Sequence, residues 1–234
     1  MVITPEQLAK DLLAISAIKL RPTKPFTWAS GFQMPVYNDN RMLLNYPRIR
    51  REIVDTFISI IKDESISYDL IAGTSTAGIP WASILADHLE SPMTYIRGRP
   101  KVHGLMNRIE GIDAEKDLDG RLAILIEDLI STGGSSASAV QGIRSAKGVC
   151  DLCLSIFDYG FDEANEMFNG KIPYDREGRK LNPSCKKRKL LDYPTLIDVA
   201  VKSRYINEEQ IIMLEEWRKD PFGWGEKQGF PRKV

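Results

Sequence analysis

Two adjacent carboxylates followed closely by hydroxyl and glycine residues are the part of this sequence best equipped for chemistry. Glu127 and Asp128 close the apolar run that starts at Leu122, Leu129 and Ile130 follow, and Ser131, Thr132, Gly133, Gly134 and Ser135 come next. Small residues between a strand and a helix let successive backbone N–H groups converge on an anion, and the helix N-terminus adds its partial positive charge. Such a segment is a phosphate cradle. Carboxylates cannot bind phosphate themselves, so the ligand must also present hydroxyls or a metal ion, and a ribose 5-phosphate meets both demands. A bare strand-to-helix turn with solvated acids is the competing explanation, but a turn alone does not need acids, hydroxyls and paired glycines together.

A second charged segment lies upstream. Residues 97–111, RGRPKVHGLMNRIEG, hold Arg97, Arg99, Lys101 and His103 within seven residues, bracketed by Gly98 and Gly104. A cationic loop with glycine hinges is what a mobile cover over a diphosphate requires. Lys101 with His103 fits that role, whereas Arg99 and Arg108 read singly as solvated surface arginines. A smaller turn, Thr74-Ser75-Thr76-Ala77-Gly78, offers a place for another phosphate group. It lacks the Lys and Ser/Thr of a P-loop, which counts against an ordinary nucleoside triphosphatase.

These residues need a sheet behind them. The unbroken apolar run from Leu122 to Glu127 predicts a strand buried on both faces of a parallel sheet, with a helix from Ser136 to Ala146 after it. Residues 68–73, 93–97 and 150–157 read as further strands, and helices alternate with them, which predicts an α/β fold with a central parallel sheet flanked by helices. Thr4, Pro5 and Gln7 predict a capping box and a helix running to about Leu20. Asn45 and Pro47 start a second helix with an apolar face of Ile49, Ile53, Phe57 and Ile60, and Thr195–Arg204 and Asn207–Lys219 read as closing helices. Residues 25–41, PFTWASGFQMPVYNDNR, read as two short extended pieces around a turn, either a cover for the ligand or a hairpin that only packs. The tail after Pro221 is expected to lie across the surface.

Composition narrows the partners. Lys plus Arg and Asp plus Glu each number 32 in 234 residues, so the formal net charge is zero and no global attraction to nucleic acid or anionic membrane is implied. No apolar stretch approaches membrane-spanning length and the N-terminal residues lack a secretory pattern, so a cytoplasmic location is expected. Cys150, Cys153 and Cys185 do not make a disulfide framework, and with no second Cys or His pair near the CxxC they read as reduced structural thiols. Residues 171–189 carry eight basic against two acidic residues, a local charge of +6, with Tyr174 as the one aromatic. A solvated excursion fits that pattern better than an RNA-binding tongue.

Three segments together resemble one family. FTWASG with PVYNDNR, RGRPKVHG followed by IEG, and IEDLISTGGS are similar to the orotate phosphoribosyltransferases, from about Thr4 to Phe157 and again from Leu190 through the C-terminal helices. The resemblance implies a type I phosphoribosyltransferase fold with a hood built from the N- and C-terminal parts. Residues 1–234 would form one domain, with the N-terminal helix and hood segment in 1–45, a lid loop at 98–111 and a basic excursion at 171–189. It implies transfer of the phosphoribosyl group of phosphoribosyl diphosphate (PRPP) to orotate in pyrimidine synthesis, with Mg²⁺ held mainly through PRPP rather than by a metal site of the chain's own. By position, Arg97, Lys101 and His103 would contact the diphosphate, and Glu127 through Ser135 would form the ribose-phosphate cradle. Ser131 would also touch orotate, and Lys101, His103 and Asp128 would carry the catalysis. In the family the lid residues reach a neighbouring subunit's site, which implies a homodimer, with no nucleic acid or membrane partner.

Some positions depart from part of that family. Ala29, Ala77 and Gly98 stand where some members carry basic residues, and no arginine lies near Tyr159, where some members use one on orotate. A subgroup with FTW-type N-termini shares these departures. The cradle itself is common to all type I phosphoribosyltransferases, so the alternatives are a transferase for another base and a non-catalytic PRPP-binding regulator. The regulator would need a nucleic-acid-binding module, and the sequence displays neither a helix-turn-helix nor a strongly basic domain.

Overall fold

The apolar runs and amphipathic helices alternate along the chain, and the computed structural model turns them into a layered sheet, described for residues 1–28, 30–98, 108–113, 116–170 and 184–233. In chain order the elements are α1 (Pro5–Ala14), β1 (Ile18–Leu20), β2 (Phe26–Thr27), β3 (Gln33–Met34), β4 (Val36–Asn38), a 3₁₀ turn (Asn40–Asn45), α2 (Pro47–Asp63), β5 (Leu70–Thr74), α3 (Gly78–His88), β6 (Met93–Ile96) and β7 (Ile109–Glu110). They continue with β8 (Leu122–Ile130), α4 (Gly134–Ser145), β9 (Val149–Asp158), α5 (Asp162–Phe168), β10 (Lys186–Asp192), α6 (Tyr193–Lys202), α7 (Glu208–Lys219) and α8 (Trp224–Lys227). Contacts divide these into two units: Met1–Ile3 with Arg50–Asp192, and Thr4–Ile49 with Tyr193–Val234.

The first unit is the sheet. Its strand order is β10-β9-β8-β5-β6-β7, all neighbours parallel except the β6–β7 edge pair. Parallel strands joined by helices are covered on both faces, and β8 at the centre is accordingly buried from Ala123 through Glu127. Leu125, Ile130, Val140, Ile143, Cys153 and Phe168 share one apolar core. On α2 the buried face runs through Ile53, Phe57 and Ile61, so Ile61 rather than the expected Ile60 points inward.

Two stretches carry strand structure well beyond the sequence reading. β8 continues to Ile130, because Leu129 and Ile130 still pair with Phe157 and Asp158 of β9, so both carboxylates lie inside the strand. Lys186–Lys189, read as part of a solvated excursion, are instead the start of the edge strand β10. The cations tolerate that position because acids meet them: Glu64 accepts from Lys186 at 3.0 Å and Arg188 at 2.8 Å, and Asp158 accepts from Lys187 at 2.8 Å. Charge along a sheet edge also discourages pairing with another chain. Residues 171–183 lie outside the described residues.

The second unit joins residues 4–49 to the C-terminal helices. Thr4 caps α1 as its sequence predicts, but the Gln7 side chain bonds Asp11 at 3.0 Å instead of closing a capping box. α1 stops at Ala14, with Ser16 at φ 59°, and Ile18–Leu20 pair with β4 rather than extending the helix. β2 and β3 are the two short extended pieces read around a turn, and they pair antiparallel. Asn207 and Gln210 do form a full capping box at α7. The tail is not simply laid on the surface: Trp224 is 1% exposed, and Lys233 donates its backbone N–H to the Gly31 carbonyl at 2.9 Å.

One close approach in the first unit is open to test. A Cβ on Gly78, the first residue of α3, would lie 2.4 Å from the Ile126 carbonyl oxygen in β8. Gly78→Ala is expected to lose about 1–3 kcal/mol, seen as a lower urea midpoint at unchanged slope.

Candidate functional site

Two strand-to-helix turns leave neighbouring parallel strands at the same end of the sheet. β5 and β8 pair with Gly73 opposite Ile126, so the turn after Thr74 and the turn after Ile130 emerge side by side. The first runs Ser75, Thr76, Ala77 into α3, and the Ser75–Thr76 peptide bond is cis. The second runs Ser131, Thr132, Gly133 into α4. Gly133 has φ 83°, a left-handed conformation that favours glycine, and a Cβ there would lie 3.1 Å from Ala164 of α5. At Gly134 the same atom would meet nothing within 4 Å, and Ser135 is exposed.

No side chain caps the N-terminus of α4. Among its first amides, the earliest N–H with a helical acceptor is that of Ala137, which donates to Gly133 at 2.9 Å. The N–H groups of Gly134, Ser135 and Ser136 precede the first full turn, and they lie where the macrodipole is positive. That is the physical requirement for holding a phosphate.

The two acids are not equivalent. Neighbours in a strand leave on opposite faces. Glu127 is 4% exposed; its carboxylate accepts from the Ser136 hydroxyl at 2.8 Å and from the Asp128 N–H at 3.1 Å. Burial, and then the adjacent Asp128 charge, push the Glu127 carboxyl up to about 8. Asp128 is half-exposed and therefore the acid more open to a ligand's hydroxyls. Sequence reasoning paired the two acids but missed Ser136, whose role depends on α4 turning back over β8. A small hydroxyl residue on an otherwise buried helix face was the available signal.

The cationic loop is anchored at both ends. Arg97, at the end of β6, is partly exposed and faces Glu110 at 3.4 Å. Its N–H donates to the Arg108 carbonyl at 2.8 Å, while the Gly98 N–H donates to the Ser75 hydroxyl at 3.2 Å. Arg99, Lys101 and His103 lie outside the described residues. Arg108, read as a solvated surface arginine, is instead half-buried and engaged by the Arg97 carbonyl and the Ser138 hydroxyl. β7 was also absent from the sequence reading, since two residues are too few to show a period.

Other candidates resolve as packing. Cys150, Cys153 and Cys185 are free and buried, and burial pushes the Cys153 thiol well above its usual value. Tyr159 is 1% exposed, stacked on Phe161 with ring centroids 5.2 Å apart. Ala77 precedes the first residue of α3 without contributing a cap, and Ala29 lies outside the described residues.

Comparison with known proteins bears on all of this. Residues 39–153 match the family model "Phosphoribosyl transferase domain". The orotate phosphoribosyltransferase of Enterococcus faecalis is 41% identical over 220 residues, covering 94% of this chain and 97% of that protein. That of Bacillus subtilis is 40% identical over 217 residues, 92% of each chain. The crystal structure of orotate phosphoribosyltransferase from Aeropyrum pernix superposes with a TM-score of 0.65 at 26% identity, over 86% of this chain and 99% of that one. With that coverage and identity, and a sheet that presents its two turns as described, the chain belongs to the orotate phosphoribosyltransferases of the type I phosphoribosyltransferase fold.

Proposed function

We propose that the protein transfers the phosphoribosyl group of PRPP to orotate, releasing diphosphate and forming orotidine 5′-monophosphate for pyrimidine synthesis. The observation that carries this reading is the uncapped N-terminus of α4 behind Gly133, placed directly after the strand that bears Glu127 and Asp128. In the reaction the orotate ring nitrogen gives its electron pair to the anomeric carbon and releases the proton it carried to solvent. The bond from that carbon to diphosphate breaks, with its electron pair leaving on oxygen. Positive charge develops on the ribose and negative charge on the leaving group, so fixed charges and dipoles do most of the work.

Each residue then has a place. The amides from Thr132 to Ser135 hold the 5-phosphate, and Leu129 and Ile130 carry the strand up to it. Asp128 accepts from the ribose hydroxyls and favours the positive sugar. Ser131 touches orotate. Arg97, Lys101 and His103 neutralise the diphosphate, and Lys101 or His103 donates a proton to it. In the proposed homodimer these loop residues serve the neighbouring subunit's site. Closure over the ligand keeps water from PRPP.

Mg²⁺ is part of the proposal. Among the described residues no three His, Cys, Asp or Glu side chains converge. This ion is commonly held by one or two carboxylates together with substrate phosphates. The half-exposed Asp128 is a donor of that kind, suited to an ion that arrives on PRPP. When bound, the ion offsets charge on the diphosphate. Cytoplasmic location belongs to the same reading; among the described residues no helix is long and apolar enough to cross a membrane.

The deciding experiment is an assay of purified protein with PRPP, with and without Mg²⁺, against orotate, uracil, hypoxanthine and xanthine. Orotate consumption that depends on Mg²⁺ is expected. Transfer to another base alone would replace the acceptor, and PRPP binding with no transfer would favour a regulator.

Two variants probe the mechanism. Lys101→Ala should lower kcat about 10²-fold or more while changing the orotate KM little, since its charge is needed most as diphosphate departs; an unchanged kcat removes Lys101 from the chemistry. For Glu127 the acid is raised in the folded state, so its stabilising contribution is complete below the ordinary value of 4.5 and is lost as pH rises through about 8. Glu127→Gln removes that loss. Ligand-free Glu127→Gln should therefore gain roughly 1–3 kcal/mol over the parent at pH 9 relative to its difference at pH 4.5. A difference in unfolding free energy that is flat across this range would show that Glu127 does not titrate late.

A further inference from the structure

α5 stands directly behind the proposed phosphate cradle. A Cβ on Gly133 would lie 3.1 Å from both Cα and Cβ of Ala164 and 3.6 Å from Phe168 Cε2. Gly133 leads into the uncapped amides of α4, so the place of those amides depends on where α5 sits. With 7 residues, α5 is too short to hold itself, since isolated helices below about 12 residues are marginal in water. Among the described residues no side chain caps its first turn.

β10 supplies the anchor. The Cys185 N–H, just before β10, donates to the Phe168 carbonyl at the end of α5 at 2.9 Å. Closer to the middle of the helix, the Lys187 ammonium donates to Asn165 Oδ1 at 3.0 Å and lies 5.4 Å from the centre of the Phe168 ring. The same ammonium donates to Asp158 Oδ2 at 2.8 Å. Asp158 Oδ1 accepts the Gly160 N–H at 2.7 Å, in the turn that enters α5, and Asp158 pairs with Ile130, the last residue of β8 before the cradle. Lys186, Arg188 and Lys189 are half-exposed, whereas the Lys187 side chain is 13% exposed and that of Asp158 3%. Lysine is almost never buried unless it is paired, and this one is paired to both elements that flank the turn.

We infer that Lys187 is a positioning residue for the 5-phosphate: its ammonium binds α5 to the end of β9 and so holds the wall of Ala164 and Phe168 against which Gly133 sets the cradle amides. The inference rests on the proposed reaction for its ligand. All of these residues belong to one chain and serve that chain's own cradle. A misplacement of about 1 Å, caused by a change far from the chemistry, can cost about 10²-fold. The effect is confined to this end of the site. β8 and β5 separate β9 from β6 in the sheet, roughly 14 Å at the usual strand spacing, so a shift of α5 leaves the diphosphate side in place.

The test measures binding of PRPP, ribose 5-phosphate and inorganic diphosphate by calorimetry, and the orotate KM by steady-state kinetics, for wild type, Lys187→Met, Asn165→Ala and the double variant. Methionine keeps an unbranched side chain against the Phe168 ring while removing the charge. Lys187→Met should weaken ribose 5-phosphate binding roughly ten-fold and Asn165→Ala roughly three-fold, with diphosphate affinity and the orotate KM within about two-fold of wild type. The double variant should bind ribose 5-phosphate within about two-fold of Lys187→Met alone, because both changes break one connection. Unchanged ribose 5-phosphate affinity in Lys187→Met, losses that multiply in the double variant, or equal losses for all ligands would each overturn the inference while leaving the proposed function standing. Should Lys187→Met fail to fold, Asn165→Ala decides alone, and wild-type ribose 5-phosphate affinity in it overturns the inference. A wild-type protein that binds neither ribose 5-phosphate nor PRPP overturns the proposed function, and the inference with it.

Discussion

A carboxyl group held inside the protein at the end of a parallel strand sets the terms for the site. Glu127 is nearly out of solvent, which disfavours its charge, and the interior accepts it through the Ser136 hydroxyl and the Asp128 amide. Ser136 belongs to the first turn of α4, so this contact fixes where the helix begins relative to β8. The uncapped amides of α4 and the half-exposed Asp128 are thereby held in one arrangement. A short hydrogen bond between strand and helix does for the cradle what a flexible loop could not, because both partners sit on rigid elements.

Close packing supplies the remaining precision. Gly78 sets α3 against the Ile126 carbonyl, Gly133 sets the cradle against Ala164, and Gly142 sets α4 against Ile96. At each point a methyl group would force the backbone or a neighbouring side chain away. Only Gly133 also needs its glycine for conformation, at φ 83°. The other two are matters of distance between helix and strand. Because the two turns leave adjacent strands, small changes in those distances would move one turn relative to the other.

The charges of β10 show how a strand can escape notice. Lys186 to Lys189 carry no apolar alternation, and a basic run ordinarily marks solvated chain. Their acid partners lie elsewhere: Glu64 at the end of α2, more than a hundred residues earlier, and Asp158 at the end of β9. Arg188, with Lys186, holds the exposed Glu64 carboxyl down at about 2. The same separation hid Arg108, whose acceptor Ser138 is thirty residues away.

Local physics was legible in the chain itself. The buried runs that became β5, β6, β8 and β9, the caps at Thr4 and Asn207, the glycine turn after Ile130 and the acid pair before it all depend on neighbours a few residues apart. Periodicity and turn chemistry report such neighbours directly. What only the tertiary structure decided involves residues distant in sequence: that Glu127 is buried while Asp128 is half-exposed, that β8 keeps pairing as far as Ile130, that Arg108 reaches Ser138, and that the tail returns to Gly31. Burial and hydrogen-bond partners are properties of packed surfaces, and those surfaces exist only once strands and helices have met.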